Sequence, residues 1–196
     1  MKQTEIILGG LVALLMLIRL IVPFPFSALA ITFSSLFLAL LYFVFSFALL
    51  NGIRLRHVFK SESYKGISTF RLLGTIFAGF VFSITVIYCL FKFQRWPYGN
   101  EGLLISLNGI IFIAVAAVLK YATSKGTFYK RLFIRALILG IFTTALYLVS
   151  YETILEVKNR DYPDYVEAEK KAMRDPQNRE LQQKAMEERQ KMDLDN

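Results

Sequence analysis

Few residues in this sequence have side chains suited to chemistry. There is one histidine, His57, and one cysteine, Cys89. His57 lies in a basic polar segment and Cys89 in an apolar one, so a Cys–His dyad or a Cys/His metal cluster is not expected. The glycines form no phosphate-binding loop pattern, and the pair Gly9–Gly10 is typical of close helix packing. The sequence therefore predicts no catalytic residue, no cofactor and no metal site, and we expect no enzymatic activity.

Polar side chains inside the apolar stretches are the next candidates for a site. They are hydroxyl residues and one amide, namely Ser34, Ser35, Ser46, Ser83, Thr85, Asn108, Thr143 and Thr144. Asn108 is the most polar of them. We expect it to form a hydrogen bond across a pair of helices, worth about 1 kcal/mol, rather than to bind a substrate.

Charged side chains lie near the ends of the apolar stretches. Arg19, Lys92 and Arg135 are within about one helical turn of a predicted boundary, where long cationic side chains extend to the interface. Charges at the membrane centre cost a few kcal/mol and are kept mainly where ions or protons move. Their predicted absence from the centre argues against an ion-coupled pump or transporter.

The elements that hold these residues are predicted to be membrane helices. The chain is 55% hydrophobic and 19% charged, with a mean hydropathy of +0.46. A hydrocarbon core about 30 Å thick takes about 20 apolar residues of helix. Five stretches qualify: 6–22, 28–50, 72–91, 103–119 and 132–151. The predicted fold class is all-α, a polytopic membrane protein with five transmembrane helices in residues 1–151 and a soluble helical tail in residues 152–196.

Basic residues are concentrated in two of the connecting segments. Segment 51–71 has five cations and one carboxylate, and segment 120–135 has five cations and no carboxylate. Short loops rich in Lys and Arg stay in the cytoplasm, so the N-terminus is predicted inside and the C-terminus, after five spans, outside. In a Gram-negative cell this describes an inner-membrane protein with a periplasmic tail.

A cleaved signal peptide is an alternative interpretation of the N-terminus. Lys2, an apolar core and the small residues at Ser27–Ala30 imitate such a peptide. Against it, the apolar run is long, Arg19 interrupts its end, and cleavage would leave a chain that begins in another hydrophobic helix. The size of the mature protein on a blot distinguishes the two.

Two corners between apolar stretches share a plan. Segments 17–27 (LIRLIVPFPFS) and 90–100 (LFKFQRWPYGN) each contain a cation, an aromatic–proline step and a small polar residue before the next helix. A duplicated helical hairpin would produce this pattern, and so would the general requirements of any short membrane hairpin. In the second corner Pro97 ends the helix before it, and Gly99 with Asn100 is expected to supply the left-handed turn geometry.

Interfacial roles are available to every side chain of the second corner. Trp96 and Tyr98 are amphipathic rings suited to the headgroup layer, and Lys92 and Arg95 can extend to lipid phosphates. The predicted interfacial corner consists of Lys92, Arg95, Trp96, Pro97, Tyr98 and Gly99.

Segment 90–109 (LFKFQRWPYGNEGLLISLNG) resembles the hairpin of the gliding motility protein GldL and its relative PorL, inner-membrane components of the type IX secretion motor in Bacteroidota. The matching positions are Leu90, Phe91, Lys92, Trp96, Pro97, Leu103, Leu104 and Gly109. The resemblance implies proton-driven motor work. GldL, however, has two membrane helices, a cytoplasmic tail and a carboxylate within its membrane helices, whereas this chain has five predicted spans and no ionisable residue in segment 102–119.

The first basic loop, 51–71, is predicted to contact lipid. Its apolar residues, among them Val58 and Phe59, are interleaved with cations, which suits a short helix lying in the interface. Arg54, Arg56 and Lys60 are the predicted contacts to anionic headgroups, each worth about 1 kcal/mol near the surface. Such contacts account for the pI near 9.6 without a nucleic acid partner.

The tail is predicted to form two helices, the first from Asp161 or Pro163 and the second from Asp175–Pro176. Two short helices bury too little surface to stand alone. We therefore expect the tail to pack on a partner, to pack on the protein's own loops, or to fray from about Met186. The predicted partner-binding residues are Tyr162, Tyr165, Val166, Met173 and Leu181.

Two hypotheses of different class follow. The favoured one is an inner-membrane accessory or scaffold protein without catalysis, which binds other membrane or periplasmic proteins or further copies of itself. The alternative is a small transport or proton-driven motor component related to the GldL hairpin, acting as an oligomer. The predicted lack of intramembrane charge favours the first.

Overall fold

The computed structural model describes residues 2–22 and 24–194, so Pro23 of the first corner and residues 195–196 of the predicted tail lie outside the described residues. Within them the chain is all-helical and contains no strand, which confirms the predicted fold class. Five helices are long and apolar enough to cross a membrane: α1 (Lys2–Ile21), α2 (Ser27–Leu49), α3 (Thr69–Gln94), α4 (Gly99–Ser124) and α5 (Thr127–Leu148). Three shorter helices follow: α6 (Tyr151–Lys158), α7 (Pro163–Arg174) and α8 (Arg179–Leu194).

Each long helix returns alongside the one before it, so the helix ends form two layers. We call the layer where α1, α3 and α5 begin the basic end, because it includes the basic loop 50–68 and the short turn at Lys125. The other layer is the tail end, which carries both corners and helices α6 to α8. Helices α2 and α3 form the centre of the bundle, α1 packs on α2, and α4 and α5 pack on each other and on α3.

The contact between α2 and α3 is close because Gly79 has no side chain. A Cβ at this position would overlap the Cβ of Ser46 and lie 2.6 Å from the Tyr42 carbonyl oxygen. Phe82 and Leu49 are buried in the same central layer. Small residues let membrane helices approach and gain van der Waals contact, because lipid provides no hydrophobic drive between helices.

All five long helices begin before the predicted spans, but not all of them extend past the predicted ends. α5 begins at Thr127 and not at residue 132, and it ends at Leu148 and not at residue 151. Ser150 accepts a hydrogen bond from the Thr153 N–H (3.0 Å) and so caps a further helix, α6, which the sequence pattern did not predict. Hydropathy locates the part of a helix that lies in hydrocarbon, but it does not locate helical turns in the interface.

The tail is a small helical unit with its own core. Tyr165 and Val166 are buried against Leu155 of α6, and Tyr162 and Met173 pack onto them. Leu181 packs with the alanines where α7 and α8 face each other. The apolar stripe predicted to bind a partner is therefore used inside the tail, which corrects that expectation. An apolar stripe on a helix indicates that its residues are buried, but it does not indicate whether they are buried within the same chain or against a partner.

The start of the last helix also differs from the prediction. Asp175–Pro176 was the expected start signal, but α8 begins at Arg179. The side chain of Asn178 accepts hydrogen bonds from the N–H groups of Glu180 (3.1 Å) and Leu181 (3.3 Å), so Asn178 is the residue that caps this helix.

Candidate functional site: a cleft between the first and fifth helices

A cleft of about 600 Å³ separates α1 from α5. Its floor is formed by α2 and α3, and its walls are almost entirely apolar. Wall residues are Val12 and Met16 from α1 and Ile138 and Phe142 from α5, over a floor that includes Leu38 and Val86. Since Ile138 is 63% exposed, the cleft opens sideways between the two helices, towards the surface that membrane helices present to lipid.

The width of the cleft depends on Gly9 and Gly10, which both line it. A Cβ placed at either position would meet no atom within 4 Å. The sequence suggested that this pair serves close helix packing, and the structure corrects that interpretation. The missing side chains leave space instead of a contact, so a side chain at either position would extend into the cleft and narrow it.

An ion pair spans the cleft at its basic end. Arg135 of α5 donates two hydrogen bonds to Glu5 of α1, from Nε to Oε1 (2.7 Å) and from Nη2 to Oε2 (2.7 Å). The hydroxyl of Tyr42 on α2 donates a third to Glu5 Oε1 (3.0 Å). The side chain of Glu5 is only 8% exposed. Three helices are thus fixed to one another through a single carboxylate.

This pair corrects the expectation that Arg135 extends to the interface. Arg135 lies eight residues after the start of α5, about 12 Å along the helix at 1.5 Å per residue. Glu5 lies in the first turn of α1, where the positive end of the helix dipole favours a carboxylate. Sequence reasoning missed the site because its two charges are far apart in the chain and each, taken alone, resembled an end-of-span charge.

A second cation, Arg131, lines the cleft one turn before Arg135. Residues four apart lie on one face of a helix, so both guanidinium groups are on the side of α5 that borders the cleft. Arg131 is exposed and makes no hydrogen bond or ion pair with any residue that the structure describes. The basic end of the cleft thus holds two cations and one carboxylate.

The opposite end of the cleft is closed by Cys89 of α3. Its thiol is buried and lies 3.6 Å from the hydroxyl of Thr143 on α5. The lining residues extend from Glu5 to Met16 in α1 and from Arg131 to Phe142 in α5. At 1.5 Å per residue, each of these stretches of helix is about 16 Å long, which gives the depth of the cleft. That depth is about half of a hydrocarbon core of about 30 Å, which is the thickness of one leaflet.

No family model, curated protein or solved structure matches this chain. The resemblance of segment 90–109 to GldL therefore stays a prediction. What the cleft does has to be inferred from its own shape and chemistry.

The predicted hairpin corner lies at the tail end, but its two cations turn towards protein and not towards lipid. Lys92 is fully buried, donates a hydrogen bond from Nζ to Asn100 Oδ1 (2.6 Å) and lies 4.0 Å from the centre of the Tyr151 ring. Arg95 forms an ion pair with Glu169 of α7 (2.6 Å). The expected contacts of Lys92 and Arg95 with lipid phosphates are thereby corrected, because α6 and α7 cover this end of the bundle.

The aromatic and turn residues of the corner are partly as predicted. Trp96 and Tyr98 remain 40% and 75% exposed, as an interfacial role requires. The left-handed conformation is adopted by Arg95 (φ 62°) and Tyr98 (φ 62°), and not by Gly99, which already begins α4. Gly99 is needed for a different reason: a Cβ there would lie 2.6 Å from the Tyr151 hydroxyl. Pro97 stands between the two helices, as expected.

The two corners share one backbone feature. Phe26 (φ 57°) and Tyr98 (φ 62°) are both left-handed aromatic residues, and each directly precedes a helix, α2 or α4. Aromatic residues adopt this conformation infrequently. Its occurrence at both positions favours the duplicated hairpin over two unrelated corners.

Asn108 does not form the predicted contact between helices. Its Nδ2 donates to the carbonyl oxygen of Leu104 in the same helix (2.8 Å), and the side chain is exposed. The amide satisfies its own donor within α4, so no neighbouring helix is needed.

The basic loop 50–68 contains two short 3₁₀ turns, Leu55–His57 and Ser61–Tyr64, instead of one interfacial helix. Arg54, Arg56 and Lys60 are exposed, and Phe59 is 93% exposed, which leaves the predicted lipid contacts available. The pKa of His57 is held below its usual range by partial loss of water and by the charges of Arg56, Lys60 and Arg54.

Proposed function

We propose that this protein is a non-catalytic component of the bacterial inner membrane that binds a single-chain amphiphile in the cleft between α1 and α5. In this proposal the basic end faces the cytoplasm, the tail lies in the periplasm, and the ligand enters sideways from the cytoplasmic leaflet. The accessory role expected from the sequence is kept, but its binding surface is the cleft and not the tail.

The observation that carries the proposal is the match between the cleft and one acyl chain. Ligand sites have volumes of about 300–1,000 Å³ and combine apolar walls with a few polar groups. This cleft has about 600 Å³, apolar walls and charges only at its basic end. Its depth of about 16 Å equals that of one leaflet, so a chain inside it keeps its headgroup at the interface.

The engagement of the polar groups supports binding rather than catalysis. A general base must be free to accept a proton from a bound substrate. The Glu5 carboxylate already accepts two hydrogen bonds from Arg135 and one from Tyr42. Cys89, at the other end, contacts Thr143 and no described histidine.

The orientation rests on the charges of the loops. Two basic segments lie at the basic end of the bundle. The first contains Arg54, Arg56 and Lys60, and the second contains Lys120 and Lys125. The tail end carries the acidic tail, with twelve carboxylates against nine cations in residues 151–196. By the positive-inside rule, this distribution of charge supports a cytoplasmic location for the basic end.

A transport or motor component remains the second candidate, and one observation favours it. Glu5 is a carboxylate within a helix long enough to span a membrane, at the edge of an open cleft. In this structure Glu5 is paired with Arg135 and so holds α1 and α5 together. A proton leak through vesicles containing the wild-type protein, abolished by Glu5→Gln in a variant that still folds, would favour this candidate over the amphiphile site.

Photochemical cross-linking tests the amphiphile site. A hexadecyl probe with a diazirine near the chain end is added to the protein in nanodiscs of zwitterionic lipid, and labelled peptides are identified by mass spectrometry. We expect label in α1 near Val12 or in α5 near Ile138. Gly10→Leu, which narrows the cleft between α1 and α5, should remove this label.

Gly74→Leu is the matched control. A Cβ at Gly74 also meets no atom within 4 Å, but Gly74 does not line the cleft. It should leave the labelling unchanged. Label spread evenly over the exposed faces of all five helices, and equal in the Gly10→Leu variant, would refute the site.

A further inference from the structure

We propose that the ligand of the cleft has a negatively charged headgroup and that Arg131 binds this headgroup. This inference rests on the proposed function and specifies the ligand class. The ligand would be a single-chain anionic amphiphile with a carboxylate or phosphate headgroup.

The charges at the basic end carry the first step. Arg131 and Arg135 are cations that line the cleft, and Glu5 is the carboxylate that lines it. Tyr42 is the remaining polar residue at this end. Its hydroxyl is protonated, because it donates a hydrogen bond to Glu5, so it adds no charge to the cleft. One positive charge is therefore left without a counter-charge within the cleft, and a negatively charged headgroup would balance it.

Arg131, and not Arg135, is the cation available to a ligand. Nε and Nη2 of Arg135 both donate to Glu5 at 2.7 Å. The side chain of Arg131 makes no hydrogen bond or ion pair with a described residue, and Arg131 is exposed. A guanidinium group presents paired donors that match the oxygens of a carboxylate or phosphate.

The position of Arg131 fits the end of an inserted chain. It lies four residues after the start of α5, about 6 Å along the helix, and Arg135 lies about 6 Å deeper. A headgroup at Arg131 would therefore stay near the interface while its chain extended past Ile138 towards Phe142, along the wall of the cleft. The cation lies at the mouth of the cleft and the apolar surface behind it.

The alternative is that Arg131 makes only non-specific contacts with the headgroups of bulk anionic lipid. Lys130 is its neighbour in sequence, is also exposed and does not line the cleft. If the effect were bulk attraction to the surface, removal of either charge would weaken binding equally. If the headgroup is held at the mouth of the cleft, only Arg131 matters.

Competition against the diazirine probe tests the headgroup in zwitterionic nanodiscs. The competitors share one hexadecyl chain and differ in the headgroup: hexadecanoate, hexadecyl phosphate, hexadecanol and hexadecyltrimethylammonium. For the wild type we expect the two anions to compete about tenfold better than the alcohol, as one charge-assisted hydrogen-bonded contact implies. The ratio of the two anions distinguishes a carboxylate ligand from a phosphate ligand.

The variants separate this inference from the proposed function. In Arg131→Gln the two anions should compete against the probe only as well as hexadecanol, whose own competition should be unchanged. Arg131→Lys should restore part of the preference for the anions. In Lys130→Gln every amphiphile should compete as it does in the wild type. Gly10→Leu should remove binding of every competitor.

Three outcomes would overturn different parts of the account. Equal competition by hexadecanoate, hexadecyl phosphate and hexadecanol on the wild type would reject the anionic ligand but leave the chain site intact. Failure of Gly10→Leu to reduce any binding would reject the site itself. A change of oligomeric state in Gly10→Leu, without amphiphile binding by the wild type, would show that a second copy covers the cleft.

Discussion

Arg135 and Glu5, 130 residues apart in the chain, form a doubly hydrogen-bonded ion pair with both N–O distances at 2.7 Å. The pair joins the first and last spanning helices across the basic end of the cleft. Elsewhere along the cleft α1 and α5 stand apart, with space for a ligand between them. This relationship makes the cleft a defined site and not a separation between loosely placed helices.

Removing one partner of this pair should destabilise the protein strongly. Glu5→Gln leaves the Arg135 guanidinium, which is 16% exposed, without a counter-charge. The expected loss is about 3–5 kcal/mol in the free energy of unfolding. Unfolding in mixed micelles with increasing denaturing detergent, followed by circular dichroism, measures it.

The double variant Glu5→Leu with Arg135→Leu is the control for that prediction. Replacement of both charges by apolar side chains removes the desolvation cost together with the attraction, so most of the lost stability should be recovered. The buried Tyr42 hydroxyl loses its acceptor in this variant, which should keep the stability about 1 kcal/mol below the wild-type value. A double variant as unstable as Glu5→Gln would show that the pair is not the source of the effect.

A side chain at Gly79 should separate the two central helices. Gly79→Val places methyl groups where the Ser46 side chain lies. Overpacking of this kind typically costs about 1–3 kcal/mol, and here it acts on the central pair of the bundle. The midpoint of thermal unfolding in detergent should fall clearly for Gly79→Val and stay near the wild-type value for Gly74→Val, whose added side chain meets open space. Equal midpoints for the two variants would contradict the close approach.

The tail should be attached more firmly at alkaline pH. Lys158 of α6 donates a hydrogen bond to the Phe93 carbonyl oxygen at the end of α3 (3.2 Å), and Arg160 donates to the Ile21 carbonyl oxygen at the end of α1. Loss of water, with the nearby charges of Arg19 and Arg95, lowers the pKa of Lys158 from 10.5 to about 8. Cations at helix C-termini are favourable, but this one is held where water is scarce.

The sign of the pH dependence follows from that pKa. Below pH 8 Lys158 is protonated in both the folded and the unfolded chain, and it contributes no pH dependence. Between pH 8 and 10.5 the unfolded chain keeps a proton that the folded chain releases, so the free energy of unfolding rises with pH. Thermal midpoints in this window should rise less for Lys158→Met than for the wild type. An identical slope in both proteins would exclude Lys158 as the titrating group.

The single cysteine reports on occupancy of the cleft. Cys89 is buried at the end of the cleft that lies away from Arg131. Because Cys89 is buried, a small membrane-permeant maleimide is expected to alkylate it slowly, when local motion opens the cleft around the thiol. Hexadecanoate should slow this alkylation further, by several-fold, and Gly10→Leu should slow it without ligand. Mass spectrometry of the intact protein measures the rate.

A second cysteine variant controls for effects of the amphiphile on the bilayer. Leu119→Cys, in a protein that also carries Cys89→Ala, places a thiol on the exposed face of α4, where Leu119 is 63% exposed. Its rate should not respond to hexadecanoate. If both thiols are slowed to the same extent, the amphiphile acts on the membrane and not on the cleft.

The five spanning helices were predictable because hydropathy responds to solvent, and about 20 apolar residues per helix leave little ambiguity. The cleft was not predictable because it depends on long-range packing. Gly9 and Gly10 have the composition of a packing contact, and only the position of α5 shows that nothing fills the space beside them. Glu5 was not predicted to belong to a site, because its partner Arg135 comes from the last spanning helix.

The corner residues illustrate the same limit. Trp96, Pro97 and Tyr98 have local roles, and these could be inferred from their chemistry. The partners of Lys92 and Arg95 come from Asn100, Tyr151 and Glu169, and two of these three belong to helices of the tail. The sequence around a residue indicates whether its side chain suits the interface, but the partner of that side chain depends on how distant helices pack.

The most direct test of the central claim is mass spectrometry of the intact protein released from native membranes. We predict that the wild type and Gly74→Leu retain one amphiphile of constant mass, and that Gly10→Leu is released without it. Tandem fragmentation should identify one chain with an anionic headgroup. Retention of the same amphiphile by Gly10→Leu, or its absence from the wild type, would contradict the account.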